Sequence, residues 1–246
     1  MIKEITIFKY SEKLPYEEIE QWFFEQHARL VKKLPHLVKY VTYRSLHLPE
    51  NDFFPPPQFS RMEERWWPSR ETFKVAQSSD ENQKVGEDLV DPKDGPQLVD
   101  VKRILLEGEI NVQHPEMTGN FQITMNELNG KPHVKSLWCF NYIPELDVAE
   151  AESWYLNHHT LVAARNFNLV RYVTYRPANG LGVDHGFVRF TELCWRDWET
   201  MLNDFASDRG QEVLEDNKNE KGVWRLTSET PVLDHPHVVG NEVVFI

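Results

Sequence analysis

The chain has 246 residues and a formal net charge of −12, with 40 % hydrophobic and 27 % charged residues. This balance is typical of a globular protein with room for two small units, and the acidic excess argues against nucleic acid as a partner. No apolar run approaches the roughly eighteen residues of a membrane-spanning helix. The first residues have the pattern of a strand. They lack the basic segment followed by an apolar segment of a signal peptide, so a cytoplasmic location is expected.

The first part of the chain predicts the order strand, helix, strand, strand, helix, strand. Alternating β-branched and aromatic residues predict the first strand at 5–10, and Pro15 is placed to open the first helix. Pro35 ends this helix, whose inward stripe consists of Ile19, Phe23, His27, Leu30 and Leu34. The remaining predicted elements are strands at 37–44 and 59–67, a helix at 71–89 and a strand at 101–106.

An internal repeat relates the two halves of the chain. The run from Tyr40 to Arg44 recurs letter for letter 132 residues later, from Tyr172 to Arg176. The same offset relates Phe8 to Phe140, Tyr10 to Tyr142, Glu20 to Glu152, Trp22 to Trp154, and His27 to His159. Beyond a Pro-rich loop at 48–58 the offset becomes 128, and Glu64 matches Glu192. The four extra residues fit this loop, and the pattern predicts a duplication.

The repeat predicts an α+β fold of two tandem ferredoxin-like βαββαβ units, at 1–107 and 133–246, joined by a polar linker at 108–132. Each unit has one sheet face covered by helices and one open face. Pairing the open faces buries both, so we expect an intramolecular, pseudo-dimeric α/β barrel with antiparallel sheets and an enclosed cavity. The last strand of the second unit is expected at 223–226, and Cys139 and Cys194 are expected to be buried, reduced thiols.

One motif resembles the EthD-like family of the dimeric α/β-barrel superfamily. It is the run Trp22-x4-His27-x-x-Leu30-Val31-x-x-Leu34-Pro35-x-Leu37-x-x-Tyr40, and the segments Arg61–Ser79 and Arg189–Ser207 are also similar. Relatives usually build the barrel by homodimerisation, so the tandem copy implies the same barrel within one chain. The resemblance implies a broad range of functions: cofactor-independent lyases, dehydratases, lactone isomerases and cyclases, cofactor-free oxygenases, and members without established activity.

The second copy departs from this motif, because Asn166-Phe167 stands in place of Leu34-Pro35. If only one half keeps a working site, this departure makes the first half the safer candidate; the sequence does not decide whether one half or both are active. His27 and its repeat partner His159 are the first catalytic candidates, since a histidine on the apolar stripe of a helix can transfer a proton at physiological pH. The alternative is a structural histidine that ties the helix end to a strand, and duplication alone does not separate the two interpretations.

The second strand of each half offers further catalytic candidates. Alternation places Tyr40, Thr42 and Arg44 on one side of the strand, and the more apolar other side suits the helix layer. We therefore expect Tyr40 and Arg44, with Tyr172 and Arg176, to point into the barrel. There a tyrosine donates to a carbonyl and an arginine holds a carboxylate or an enolate oxygen. Polar strand ends that reach solvent are the alternative interpretation.

Substrate-binding candidates are aromatic residues on the first strands and repeat-matched arginines on the third strands. The aromatic residues would favour a flat, hydrophobic ligand, although core filling explains them equally well. The set consists of Phe8, Tyr10, Trp138, Phe140, Tyr142, Arg61 and Arg189.

Metal and cofactor motifs are weak. No Cys/His set has zinc spacing, and neither a phosphate-binding glycine loop nor a G-x-S-x-G elbow occurs. His235 and His237 are interpreted as solvated residues of a terminal tail. We therefore expect no metal and no cofactor.

These patterns predict a cofactor-independent enzyme that transfers protons on a small hydrophobic, aromatic or lactone-type metabolite in the barrel cavity. One alternative is a cofactor-free or haem-dependent monooxygenase, and another is a non-catalytic binding protein for an aromatic metabolite. The expected partner is a small hydrophobic compound, with no nucleic acid and no membrane. Whether two chains pair as a homodimer of pseudo-dimers stays open.

Overall fold

A computed structural model describes residues 1–91, 93, 95–112, 133–182, 185–218, 222, 224–227, 230, 233 and 236–244. Its strands are β1 Ile2–Tyr10, β2 Lys39–Ser45, β3 Arg61–Trp67, β4 Val90–Asp91, β5 Gly95–Pro96, β6 Leu98–Asn111, β7 Val134–Tyr142, β8 Arg171–Pro177, β9 Arg189–Trp195, β10 Leu226–Thr227 and β11 His237–Val244. Its helices are α1 Tyr16–Trp22, α2 Ala28–Val31, α3 Arg70–Gln77, α4 Asp80–Asp88, α5 Val148–Trp154, α6 Thr160–Asn166, α7 Trp198–Ala206 and α8 Asp208–Asp216, and the π-helical turns π1 Phe23–His27 and π2 Tyr155–His159 join α1 to α2 and α5 to α6.

Eight strands close into a barrel. Their order is β7-β11-β2-β3-β1-β6-β8-β9, and β9 pairs again with β7. All of these pairings are antiparallel. The two halves are interlocked, because β6 pairs with β8 of the second half and β11 pairs with β2 of the first half. The predicted α+β class and antiparallel sheet are confirmed.

The interior of this barrel is packed with side chains. One apolar cluster receives a residue from every strand of the ring, namely Ile5, Val41, Met62, Ile104, Leu137, Val173, Phe190 and Val239. A barrel of eight strands is just wide enough for its side chains to fill. The prediction of a cavity between the two sheet faces was therefore wrong. The space for a ligand lies outside the barrel, under the helices.

The predicted orientation of the second strands was also wrong. Val41 and Tyr43 point into the barrel, whereas Tyr40 packs against helix residues such as Val31 and Phe73. Tyr172 likewise lies among helix residues of the second half. Alternation determines which residues share a side of a strand, but the side that faces the axis depends on how the strands pair. The apolar side fills the barrel because neither water nor a helix reaches it.

A quartet of buried charges lies inside the barrel among these apolar side chains. Lys3 and its repeat partner Lys135 each contact both Glu64 and Glu192, with Nζ to oxygen distances of 2.8 Å for Lys3–Glu64 and 2.9 Å for Lys135–Glu64. Burial opposes ionisation of Glu192, but the charges of Lys135 and Lys3 hold its pKa well below the usual range. We call Lys3, Glu64, Lys135 and Glu192 the barrel quartet.

Several predicted boundaries differ from the structure. The helix expected at 71–89 is two helices, because Ser79 caps a new helix at its N-terminus. Residues 108–111 of the predicted linker belong to β6, and 113–132 lie outside the described residues. The chain expected as a terminal tail contains a barrel strand, β11, so the solvated interpretation of His237 was wrong: this residue is buried. Of the strand expected at 223–226 only Leu226 belongs to a strand, and residues 223 and 235 lie outside the described part.

Cys139 and Cys194 are buried and unpaired, as predicted. Within the described residues, no helix has the length and apolar character needed to cross a membrane.

Candidate active site between the sheet and the helices of the second half

Both helices that follow the first strand of a half are interrupted by a π-helical turn. In each case the last residue of the turn is the repeat-related histidine, His27 in π1 and His159 in π2. The sequence predicted a continuous α-helix here. A π turn inserts an extra residue into one helical turn, and such turns are frequent at functional sites.

Each histidine is paired with a carboxylate that the sequence analysis missed. His159 Nδ1 lies 2.8 Å from Asp216, at the end of α8, and His27 Nδ1 lies 3.3 Å from Asp88, at the end of α4. Because a carboxylate only accepts, Nδ1 of each ring donates. Asp88 and Asp216 are related by the 128-residue offset, so extending the repeat comparison to the helix ends would have found them.

Asp216 holds both histidines of π2. His158 Nε2 lies 2.8 Å from its other carboxylate oxygen. Burial opposes ionisation of Asp216, but the hydrogen bonds from His159 and His158 leave its pKa below the ordinary value. Nε2 of His159 makes no hydrogen bond to any residue that the structure describes, so this nitrogen is available to a ligand.

His159 lines an apolar cavity of about 210 Å³. The cavity lies between strands β7, β8 and β9 and the helices of the second half. Its walls include Trp138, Phe140, Phe167, Leu193 and Phe205. This cavity lies in the second half, whereas the family motif is better kept in the first.

A chain of buried hydroxyls forms the polar side of this cavity. The Tyr155 hydroxyl lies 3.2 Å from that of Tyr172 and 2.7 Å from that of Thr191, and Thr191 donates to Thr174 at 3.1 Å. Burial raises the pKa of both tyrosines. The two hydroxyls therefore stay protonated at neutral pH and can donate hydrogen bonds.

The equivalent position in the first half has a different chemistry. Glu63 and Arg65 stand there in place of Thr191 and Leu193, and they form a buried ion pair that also accepts a hydrogen bond from Tyr40. His27 Nε2 lies 3.6 Å from Glu63. The first half thus brings its predicted His and Tyr to one carboxylate. The cavity there, of about 200 Å³, is lined by charged residues, among them Glu63 and Arg65, as well as by apolar residues such as Val85 and Leu98.

The predicted arginines belong to another cluster in each half. Arg176 and Arg189 both donate to Glu152, at 2.9 and 2.5 Å, and the Tyr142 hydroxyl donates to it at 2.7 Å. The first half repeats this arrangement, in which Arg44, Arg61 and Tyr10 converge on Glu20. Glu20 and Glu152 were visible in the repeat as a matched pair but were given no role.

We name the cluster of Tyr142, Glu152, Arg176 and Arg189 the Glu152 cluster. It joins α5 to β7, β8 and β9, so its geometry fits an anchor of the helix on the sheet. Of the predicted site residues, His159, Tyr172, Trp138 and Phe140 line the apolar cavity, whereas the Arg and Tyr members of the Glu152 cluster do not. Phe8 packs beside Phe23 in the first half.

The Glu152 cluster predicts a measurable pH dependence of stability. Burial raises the pKa of Glu152, but hydrogen bonds from Arg189, Tyr142 and Arg176 outweigh it and lower the pKa to about 2. A carboxyl with a depressed folded-state pKa stabilises the fold above its unfolded pKa, about 4.3, and this contribution is lost as pH falls toward 2. In Glu152→Gln the free energy of unfolding should fall less steeply between pH 4.5 and 2 than in the wild type. Glu145→Gln, at an exposed position, should keep the wild-type slope; equal slopes in all three proteins would contradict the role of Glu152.

No group of three His, Cys, Asp or Glu side chains in the described part of the chain is arranged to hold a metal ion. The polar groups that line the apolar cavity include the His159 imidazole, the hydroxyls of Tyr155, Tyr172 and Thr191, and the side chain of Asn217. They suit hydrogen bonding and proton transfer to an organic ligand.

A closed antiparallel barrel with helices on its outer face is the dimeric α/β-barrel fold. The chain is similar to the structure of an anthrone oxidase-like protein, with a TM-score of 0.58 and 8 % identity over 99 % of this chain and 92 % of that one. It is also similar to a mutant chlorite dismutase from Candidatus Nitrospira defluvii, with a TM-score of 0.55 and 14 % identity over 97 % and 90 % of the two chains.

An EthD family protein from Bacillus halodurans aligns 98 % of its length with 44 % of this chain, at 23 % identity and a TM-score of 0.36. No protein-family model matches the sequence, and no curated protein matches it significantly. What the solved structures share with this chain is the fold.

Proposed function

We propose that the second-half cavity is the active site of a cofactor-independent enzyme that transfers a proton on a small hydrophobic ring compound, as a lyase, an isomerase or a cyclase. One observation carries this proposal. The His159–Asp216 pair and the buried Tyr155 and Tyr172 hydroxyls meet in a cavity whose walls are otherwise mostly apolar.

The chemistry follows from the protonation of these groups. His159 Nε2 accepts a proton from a carbon next to a carbonyl, while Asp216 orients the ring and stabilises the imidazolium that forms. The electron pair of the broken C–H bond forms a C=C bond, and the carbonyl π pair moves to the oxygen. This oxygen accepts a hydrogen bond from Tyr172, whose hydroxyl turns from Tyr155 to the ligand. Return of the proton to another carbon gives isomerisation, and loss of a neighbouring leaving group gives elimination.

We infer that two tandem ferredoxin-like units, at 1–107 and 133–246, form this barrel within one chain. The inference is supported by repeat-matched positions in the barrel quartet, the Glu20 and Glu152 clusters, and the two His–Asp pairs. Duplication then freed one half to diverge. The first half carries the Glu63–Arg65 ion pair, and the second carries the apolar cavity.

The size of the second-half cavity favours a ligand smaller than haem. Sites for drug-sized ligands span about 300–1,000 Å³, and the second-half cavity of about 210 Å³ lies below that range. The cavity suits a ligand of one or two rings.

The proposal is tested by hydrogen–deuterium exchange on model substrates in D₂O. Cyclohexanone, 1-tetralone and γ-butyrolactone are incubated with the protein, and loss of the proton signal next to the carbonyl is followed by NMR. We expect exchange faster than in buffer for at least one of them. Naphthalene, which has no acidic C–H, should inhibit this exchange competitively. Compounds that bind without accelerated exchange would contradict the enzyme and favour a binding protein.

A further inference from the structure

We propose that Phe54, in the Pro-rich loop of the first half, determines the size of ligand that the second-half cavity accepts. This inference rests on the proposed function for the identity of the site. Phe54 is buried, yet it belongs to the half of the chain opposite to the cavity. Its role is to position two wall residues of that cavity.

The loop that carries Phe54 is held in a defined conformation. The Asn51 side chain accepts hydrogen bonds from the backbone N–H groups of Phe53 and Phe54, at 3.0 and 2.7 Å, and donates to the carbonyl of Pro49 at 2.8 Å. Three prolines follow, at 55–57, and each fixes its own φ angle. The backbone of the loop is therefore rigid at Phe54, whose side chain extends to the second half.

Phe54 contacts two aromatic residues of the cavity wall. Its ring meets Phe205 edge-on, with centroids 5.1 Å apart, and meets Trp138 edge-on at 6.2 Å. Trp138 and Phe205 stack on each other at 6.1 Å, and both line the cavity. Phe54 thus supports both rings of the stacked pair, while its neighbour Phe53 packs on Phe205 alone, with centroids 5.6 Å apart.

The two halves differ in a way that matches this role. Trp138 and Phe205 correspond to Thr6 and Gln77 in the first half, and the loop of the second half is four residues shorter. That shorter loop places Leu181 against the core cluster of the first half. The aromatic wall and the longer, phenylalanine-bearing loop therefore occur together, at one site only.

The supported cavity is small. A dry cavity of about 150 Å³ holds benzene, so about 210 Å³ suits one substituted ring or two fused rings. Shortening the side chain at 54 would let Trp138 and Phe205 move outward. A third fused ring would then fit.

The test compares ligand size preference in Phe54→Ala, Phe54→Leu and the wild type. Cyclohexanone, 1-tetralone and 9-fluorenone serve as probes with one, two and three rings, and their affinities are measured by calorimetry. The wild type should bind 1-tetralone at least tenfold more tightly than 9-fluorenone. Both variants should reduce this ratio at least tenfold, while Leu181→Ala, the matched change in the other loop, should keep the wild-type ratio. Circular dichroism establishes that each variant is folded, and the leucine variant keeps a large apolar side chain in case the alanine variant unfolds.

The outcomes separate this inference from the proposed function. Folded variants with an unchanged size preference would overturn the role of Phe54 even if proton exchange is observed. A changed preference without any proton exchange would support Phe54 and contradict the enzyme. Failure of the wild type to bind any probe would overturn both.

Discussion

Replacing Lys135 by methionine is expected to lower the free energy of unfolding by about 3–5 kcal/mol. Lys135 contacts both Glu64 and Glu192 inside the barrel, and none of the three side chains is more than 2 % exposed. Without this lysine, two buried carboxylates share the one remaining cation of the quartet, Lys3, and Arg171 lies 3.6 Å from Glu192. An uncompensated buried charge is costly because no water can solvate it. Urea unfolding at neutral pH measures the effect.

A surface pair provides the control for this prediction. Lys9 contacts Asp100 at 2.6 Å, but both side chains are largely exposed, so Lys9→Met should change stability by about 0.5 kcal/mol or less. Lys3→Met should resemble Lys135→Met, because the repeat gives each lysine the same two partners. A loss below about 1 kcal/mol in both barrel variants would contradict a stabilising role for the lysines of the quartet.

Replacing His159 by alanine is expected to reduce the rate of proton exchange about 10²- to 10⁴-fold, the usual contribution of a positioned general base. The imidazole would be lost, and neither Tyr155 nor Tyr172 can replace it, since burial keeps both hydroxyls protonated. The loss should appear in kcat, measured by the NMR exchange assay at saturating ketone. Ligand affinity should change less than tenfold, because the aromatic walls are untouched.

The repeat supplies the matched control for this variant. His27→Ala removes the corresponding histidine of the first half, which sits between Asp88 and Glu63, and it should leave the exchange rate unchanged. Asp216→Asn should reduce the rate less than His159→Ala, because it disturbs the orientation of the base without removing it. Equal losses in the His27 and His159 variants would contradict a single active site in the second half.

The sequence by itself determined the α+β class, the matched halves, the burial of Cys139 and Cys194, and the sets of residues that share a strand face. These features follow from local periodicity and from comparison of one half with the other, which need no knowledge of how the strands pair. The repeat also contained the signal for Asp88 and Asp216, since one offset relates them.

Only the tertiary structure decided which strand face turns inward, where the cavity lies and what supports its wall. The pairing of β6 with β8 and of β11 with β2 joins residues far apart in the chain. Closing the ring sends Val41 inward and Tyr40 outward, against the orientation expected from polarity. The local sequence pattern indicates which side chains share a buried side of a strand. It does not indicate which element covers that side, because this depends on the closure of all eight strands at once.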